Sequence, residues 1–172
     1  MLTKKFVEET VAEYQTTMLH YAGRLLRNRH DAQEVVQNTF IKLFKAIQKK
    51  QFTGKGTKTW LFRVAHNEAM DLMRKEARLR ELHQKHSEHE VNLDLADKND
   101  GLEMKQKIVL ECIEQLDISS KQIVLLRLQE GLSYKEIAEI TGRTTGNVGC
   151  ILHNAVKQIS EQIQIKEQNH EL

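Results

Sequence analysis

Arg63, Asn67, Met70, Arg74 and Arg78 recur at helical spacing along one stripe of the chain, opposite the apolar Leu61, Ala65, Ala69 and Leu72. Guanidinium groups so spaced can hold successive phosphates, and an amide among them can meet a base edge. The same stripe also suits a plain solvated helix face. No glycine loop for phosphate binding, no nucleophile elbow and no paired-carboxylate site in a cleft can be picked out, so the chain is not read as an enzyme. His83, His86 and His89 recur every third residue, a spacing that drifts around a helix. With no cysteine nearby and solvating Lys and Glu as neighbours, they imply neither a metal site nor a cofactor.

The second group of interest is Ser133-Tyr-Lys-Glu-Ile-Ala-Glu-Ile-Thr-Gly-Arg-Thr-Thr-Gly-Asn-Val-Gly-Cys-Ile-Leu152. Ser133 with Glu136 makes a capping box that opens one helix, and Gly142 supplies the φ > 0 position that closes it. Thr144 or Thr145 can cap a second helix, whose Val148, Ile151 and Leu152 pack back on Ile137, Ala138 and Ile140. Two short helices crossed in this way form the helix-turn-helix that places one helix in the DNA major groove. An ordinary helical hairpin is the bland alternative.

The elements that must position these groups are all helical. The 172 residues contain no proline and few aromatics, and they lack runs of alternating β-branched residues. The expected class is all-α: two small helical domains joined by a flexible acidic linker, the second holding the helix-turn-helix. A first helix, about Lys4 to Arg27, carries Val7, Val11, Tyr14, Met18, Ala22 and Leu25 on one face. After a break at Asn28-Arg29-His30, Asp31 is expected to cap a second helix reaching about Lys49, with Glu34 three residues on. Its inner stripe is Ala32, Val36, Phe40, Leu43 and Ile47. Its outer face carries Glu34, Gln37, Asn38, Ile41 and Lys45, where Ile41 is out of place as a partner-contact residue would be. Gln51 to Lys58 reads as a flexible basic loop with a lone aromatic, Phe52, and a third helix runs from Trp60 to about Arg80. Polar, His- and acid-rich sequence then leads to Gly101. Helices follow from about Leu102 to Leu116 and from Ser119 to Glu130. Ser119 and Gln122 form a further expected capping box, and Gly131 is a C-terminal stop. The apolar run Ile123, Val124, Leu125, Leu126 and Leu128 is expected at the centre of its domain.

The net charge of +2 hides an asymmetry. Residues 1–80 carry 16 Lys/Arg against 8 Asp/Glu, a balance of +8, whereas residues 81–116 stand at −5 and residues 117–172 at −1. A basic first half suits a polyanion partner, since counterion release supplies most nonspecific nucleic-acid affinity. The first residues lack an apolar signal core and no stretch has a membrane-spanning length, so no membrane insertion is expected. Cys112 and Cys150 lie far apart and imply no disulfide framework; the expected setting is cytoplasmic and reduced.

Asp31-Ala-Gln-Glu-Val-Val-Gln-Asn-Thr-Phe-Ile-Lys-Leu-Phe44 and Thr59-Trp-Leu-Phe-Arg-Val-Ala-His-Asn-Glu-Ala-Met-Asp-Leu-Met-Arg-Lys75 together resemble region 2 of the extracytoplasmic-function (ECF) group of sigma-70 family sigma factors. Leu128-Gln-Glu-Gly-Leu-Ser-Tyr-Lys-Glu-Ile-Ala-Glu-Ile-Thr-Gly142 resembles their region 4. The resemblance implies residues 1–80 as region 2, 81–101 as linker and 102–172 as region 4. It implies a bacterial RNA polymerase specificity subunit with core polymerase and promoter DNA as partners, and with an anti-sigma protein as a further candidate partner. Asp31, Glu34, Gln37, Ile41 and Lys45 would dock on the clamp helices of the largest polymerase subunit. Phe52, Lys55, Arg63, Asn67, Asp71, Arg74, Lys75 and Arg78 would recognise and melt the −10 element, holding a flipped base and tracking the freed strand. Arg143, Thr144, Thr145, Asn147, Cys150, His153, Asn154 and Lys157 would face the −35 element, while the helices before them grip the polymerase flap. The acidic linker would thread the RNA-exit path.

The chain departs from the family pattern at three places. Leu116-Asp117 stands where Leu-Pro is usual, and Arg143 occupies a turn position that is commonly apolar, from which it can reach a phosphate. The helix Asn147-Val-Gly-Cys-Ile-Leu-His-Asn154 lacks the usual Lys, Ser and Arg, leaving Asn147 as a residue able to pair bidentately with adenine. Two other readings remain: a helix-turn-helix transcriptional regulator acting without polymerase core binding, and a metal- or redox-sensing switch using the His tract or Cys150. The first leaves the basic first half unexplained.

Overall fold

In the computed structural model, residues 4–82 and 104–170 are described, with side chains to residue 168. The helices are α1 (Lys4–Leu26), α2 (Arg29–Gln48), α3 (Thr57–Leu82), α4 (Met104–Glu114), α5 (Ile118–Val124), α6 (Tyr134–Thr141) and α7 (Thr145–His170). α5 runs on into a π turn at Leu125–Gln129. No strand occurs among the described residues, so the all-α expectation holds. The chain divides into two compact units, one holding α1–α3 and the other α4–α7. Glu81 and Leu82 end α3; the rest of the expected linker and the His tract lie outside the described residues.

The first unit buries one stripe from each helix: Met18, Tyr21, Ala22 and Leu25 from α1, Ala32, Val35, Val36 and Leu43 from α2, and Leu61, Phe62, Ala65 and Ala69 from α3. Tyr21 and Phe62 meet edge to face at 5.5 Å. The Tyr21 hydroxyl lies 3.2 Å from His66 Nδ1, so a phenol and an imidazole enter the core with a hydrogen bond between them. Inward placement of Leu61, Ala65 and Ala69 matches the sequence reading; burial of His66 is an addition to it.

Phe52 corrects the expectation of a lone aromatic on a flexible loop. It is 8% exposed, with its ring 6.3 Å from Phe6 and 5.2 Å from Trp60. The aromatic area gained by sealing the end of the core outweighs the preference for leaving a loop residue in solvent. The loop itself is a built turn: Gly54 and Gly56 take φ of 83° and 63°, and the Thr57 hydroxyl donates to the Gly54 carbonyl at 2.8 Å. Lys55 is exposed between them.

Two helix starts also differ from expectation. α2 is capped by Asn28, whose extended backbone (φ −143°, ψ 121°) lets Oδ1 accept from the His30 and Asp31 N–H groups at 2.9 and 3.2 Å. Asp31 therefore sits inside the first turn, where its charge complements the helix dipole. α5 is capped by Asp117 rather than Ser119, with N–H bonds from Ser119 and Ser120 at 3.0 and 3.1 Å. The helix begins two residues earlier than the pattern suggests, so Asp117 holds the cap position and Ser119 falls inside the first turn, where its own N–H is one of those the carboxylate binds.

In the second unit, Ile123, Val124, Leu125 and Leu126 are buried among Cys112, Ile113, Leu116, Ile137, Val148, Leu152, Ala155 and Ile159. Leu128, expected with them, is instead 59% exposed on the π turn. The Ser133–Glu136 capping box forms in both directions, and Gly142 closes α6 at φ 68°. Thr144 Oγ1 accepts the Asn147 N–H at 3.1 Å and starts α7. Lys121 is almost fully buried, and a 3.0 Å ion pair with Glu114 supplies its partner.

Candidate nucleic-acid and partner interfaces

Packing of α1 and α3 against one side of α2 leaves the other side in solvent. Glu34, Gln37, Ile41 and Lys45 are all exposed there, and Asp31 is half-buried at the helix start. Ile41 is 44% exposed and Phe44, three residues on, 46%. Phe44 belongs to the same face and is missing from the sequence reading; its i+3 spacing from Ile41 was the available signal. These two large apolar side chains stand among polar neighbours with nearly half of each left in solvent. Lys42, beside this face, is tied to Glu68 of α3 by an ion pair.

Along α3 the basic stripe is real and solvent-facing. Asn67, Asp71, Arg74, Lys75 and Arg78 are exposed; Arg63 and Met70 are half-buried nearer the core. Arg74 Nη2 donates to Asp71 Oδ1 at 2.6 Å and Nε to the Met70 carbonyl at 3.2 Å. Arg78 has no ion pair among the described residues. Asp71, Arg74, Lys75 and Arg78 line a shallow hollow with Leu79. Exposed Leu79 and Leu82 extend the stripe with apolar surface that periodicity did not flag. Phe52 does not join these residues at the surface, since its ring is committed to the core.

In the second unit, Val148, Leu152, Ala155 and Ile159 anchor α7, which turns Asn147, Cys150, His153, Asn154 and Lys157 outward on one face. Arg143, Thr144 and Thr145 are exposed at its N-terminal end. Arg143 is not free: Nη1 donates to Asn147 Oδ1 at 3.1 Å and Nη2 to Ser119 Oγ at 2.7 Å. Gly149 takes the place of a bulkier residue where the Tyr134 ring approaches; a Cβ there would sit 3.4 Å from Tyr134 Cε2. Tyr134 is covered on another side by the Arg127 guanidinium, 5.4 Å from the ring centre. The outward face of α7 thus carries hydrogen-bonding side chains and few charges, with Lys157 on it and Arg143 at its N-terminal end. At the start of α5 the Asp117 carboxyl is held below its ordinary range by hydrogen bonds, from Ser120 first and from the neighbouring amides.

Residues 10–79 match the family model for sigma-70 region 2, and residues 106–159 match that for sigma-70, region 4. An ECF RNA polymerase sigma-E factor of Haemophilus influenzae is 32% identical over 173 residues, spanning 94% of this chain and 89% of that one. RNA polymerase sigma factor SigV of Bacillus subtilis is 24% identical over 161 residues, 94% of this chain and 93% of its own length. Among solved structures, the sigma factor RpoE from Bartonella quintana, in complex with the anti-sigma factor NepR, superposes with a TM-score of 0.73 at 22% identity, covering 95% of this chain and 99% of that one. The protein is thus a two-unit, all-helical transcription factor of the sigma-70 type. It belongs to the ECF group of sigma-70 family RNA polymerase sigma factors, and it works with RNA polymerase in promoter-specific transcription initiation. The reading as a regulator independent of polymerase is not favoured, because a relative matches across both units rather than the helix-turn-helix alone.

Proposed function

We propose that three surfaces divide the work of initiation. The outer face of α2, with Asp31, Glu34, Gln37, Ile41, Phe44 and Lys45, docks on the clamp helices of the largest polymerase subunit. The α3 stripe and the turn carrying Lys55 engage and open the −10 element, with Asn67, Asp71, Arg74, Lys75 and Arg78 along the freed strand and Arg63 closer to the core. The outward face of α7, from Arg143 and the two threonines to Lys157, enters the major groove at the −35 element. Residues 81–101 are the linker between regions 2 and 4.

The observation that carries this division is the solvent face of α2. The helix buries Ala32, Val35, Val36 and Leu43 on its inner side and still presents Ile41 and Phe44 among charged neighbours, as a docking helix must. Basic groups on a different helix, α3, then remain available for DNA. Run-off transcription with core polymerase on a promoter library tests the whole. Specific initiation that requires this chain supports it; tight, specific promoter binding by the isolated chain without polymerase refutes it.

No described helix is long and apolar enough to cross a membrane, and the cytoplasm, where promoters and polymerase are found, is the proposed location. An anti-sigma protein is a proposed partner as well. The likeness to a sigma factor solved with such a protein motivates it, and competition between that protein and core polymerase for the α2 face is its test.

A further inference from the structure

Arg143 lies in the turn between α6 and α7, where its guanidinium is held at two points. Nη2 donates to Ser119 Oγ of α5 at 2.7 Å, and Nη1 donates to Oδ1 of Asn147, in the first turn of α7, at 3.1 Å. A guanidinium has donors only, so the Asn147 atom facing it must be the amide oxygen. The Asn147 backbone N–H is already used by Thr144 Oγ1. What this exposed side chain has left is one lone pair of Oδ1, beside the guanidinium, and Nδ2, with two N–H donors and no partner among the described residues.

We propose that Arg143 is a positioning residue that sets the base preference of Asn147, turning an amide that would otherwise select adenine into a donor that selects guanine or thymine. The inference rests on the proposed placement of α7 at the −35 element and specifies what that helix reads. An asparagine pairs with adenine by accepting from N6 with its oxygen and donating to N7 with its nitrogen. With one lone pair of the oxygen engaged by a charged donor, which also fixes the plane of the amide, the N6 amino group must compete for the remaining lone pair from a direction the arginine does not block. Guanine, with acceptors at both N7 and O6, satisfies the remaining donors best. Thymine O4 satisfies one, and cytosine presents its own N4 donor. The bond to Oδ1 is charge-assisted and so competes well with a neutral base amine. Its anchor is independent of α7, because Ser119 belongs to a helix whose start is fixed by Asp117.

The test is transcription by holoenzyme, core polymerase with the full chain, on promoters randomised through the −35 element, with transcripts sequenced. Wild type should favour guanine or thymine over adenine at one −35 position by about tenfold. Arg143→Leu should raise adenine relative to guanine there by about tenfold, with helical content unchanged. Ser119→Ala, which keeps the arginine charge but removes its anchor, should move the preference the same way by a smaller factor. Asn147→Ala, alone or combined with Arg143→Leu, should flatten that position. An equal loss on every −35 sequence with Arg143→Leu, or an adenine preference already present in wild type, overturns the proposal. A wild-type holoenzyme indifferent to the whole −35 element overturns the placement of α7 instead.

Discussion

Replacing Ile41 by glutamate probes the docking face directly. Full burial of an isoleucine is worth about 1.5–3 kcal/mol, and Ile41 keeps 44% of its surface for a partner. Truncation to alanine should therefore forfeit about 1 kcal/mol, roughly a fivefold loss of affinity for core polymerase. Glutamate adds the desolvation of a carboxylate in the contact, which brings the total to about 4 kcal/mol and the loss to about a thousandfold. Folding should lose about 1 kcal/mol at most, from the part of the side chain already covered. The site faces solvent, glutamate forms helix slightly better than isoleucine, and the new carboxylate stands four residues before Lys45, the favourable order for an ion pair. Competition against the wild-type chain for core enzyme, with circular dichroism as the folding control, measures both quantities. A well-folded Ile41→Glu variant that competes as wild type does would refute the assignment of the face. Phe44→Glu should reproduce the defect, because its exposure and position match.

Three further outcomes are expected. Arg78→Ala should lower the slope of log affinity against log salt for −10 strand binding by the holoenzyme by about 0.7–0.9. Arg74→Ala should lower it less, because Asp71 already neutralises part of that charge; a larger effect for Arg74 would show the hollow on α3 misread. Asp117→Ala should cost the second unit about 1 kcal/mol near neutral pH through loss of the α5 cap. Because the folded state holds this carboxyl below its ordinary value, its contribution is complete above about pH 4 and fades as pH falls through the lowered folded-state value. Urea titrations at neutral and strongly acidic pH should therefore show the variant's deficit shrinking on acidification. Glu114→Ala should cost about 3 kcal/mol by stranding the buried Lys121 ammonium, whereas replacing the pair together, Glu114→Leu with Lys121→Met, should be close to neutral. Thermal unfolding that ranks the two variants the other way would contradict the burial of that pair.

Elements whose cause lies within four residues are legible in the amino-acid sequence itself. The Ser133–Glu136 box, the Gly142 stop and the inward spacing of Leu61, Ala65 and Ala69 depend on helical periodicity and local capping, and all three are found. The outward position of Ile41 follows from the same arithmetic, since two helices packed on one side of α2 leave only the other side exposed. Even local signals mislead about where a helix begins: Asn28 and Asp117 hold the caps, and Asp31 and Ser119, to which the pattern assigns them, fall inside the first turn. A pattern counts the candidates, and backbone geometry chooses among them.

Contacts between distant residues are decided by tertiary packing. Phe52 looks like a free loop aromatic until Phe6 and Trp60 close over it from two helices. The Tyr21–His66 bond spans 45 positions, and the Arg143–Ser119 bond spans 24. Periodicity shows which way a side chain faces on its own helix and carries no record of which other helix it will meet. Amphipathic spacing therefore establishes the helices and their faces. Close packing then decides which polar atoms are already satisfied, and so which remain free to recognise DNA or polymerase.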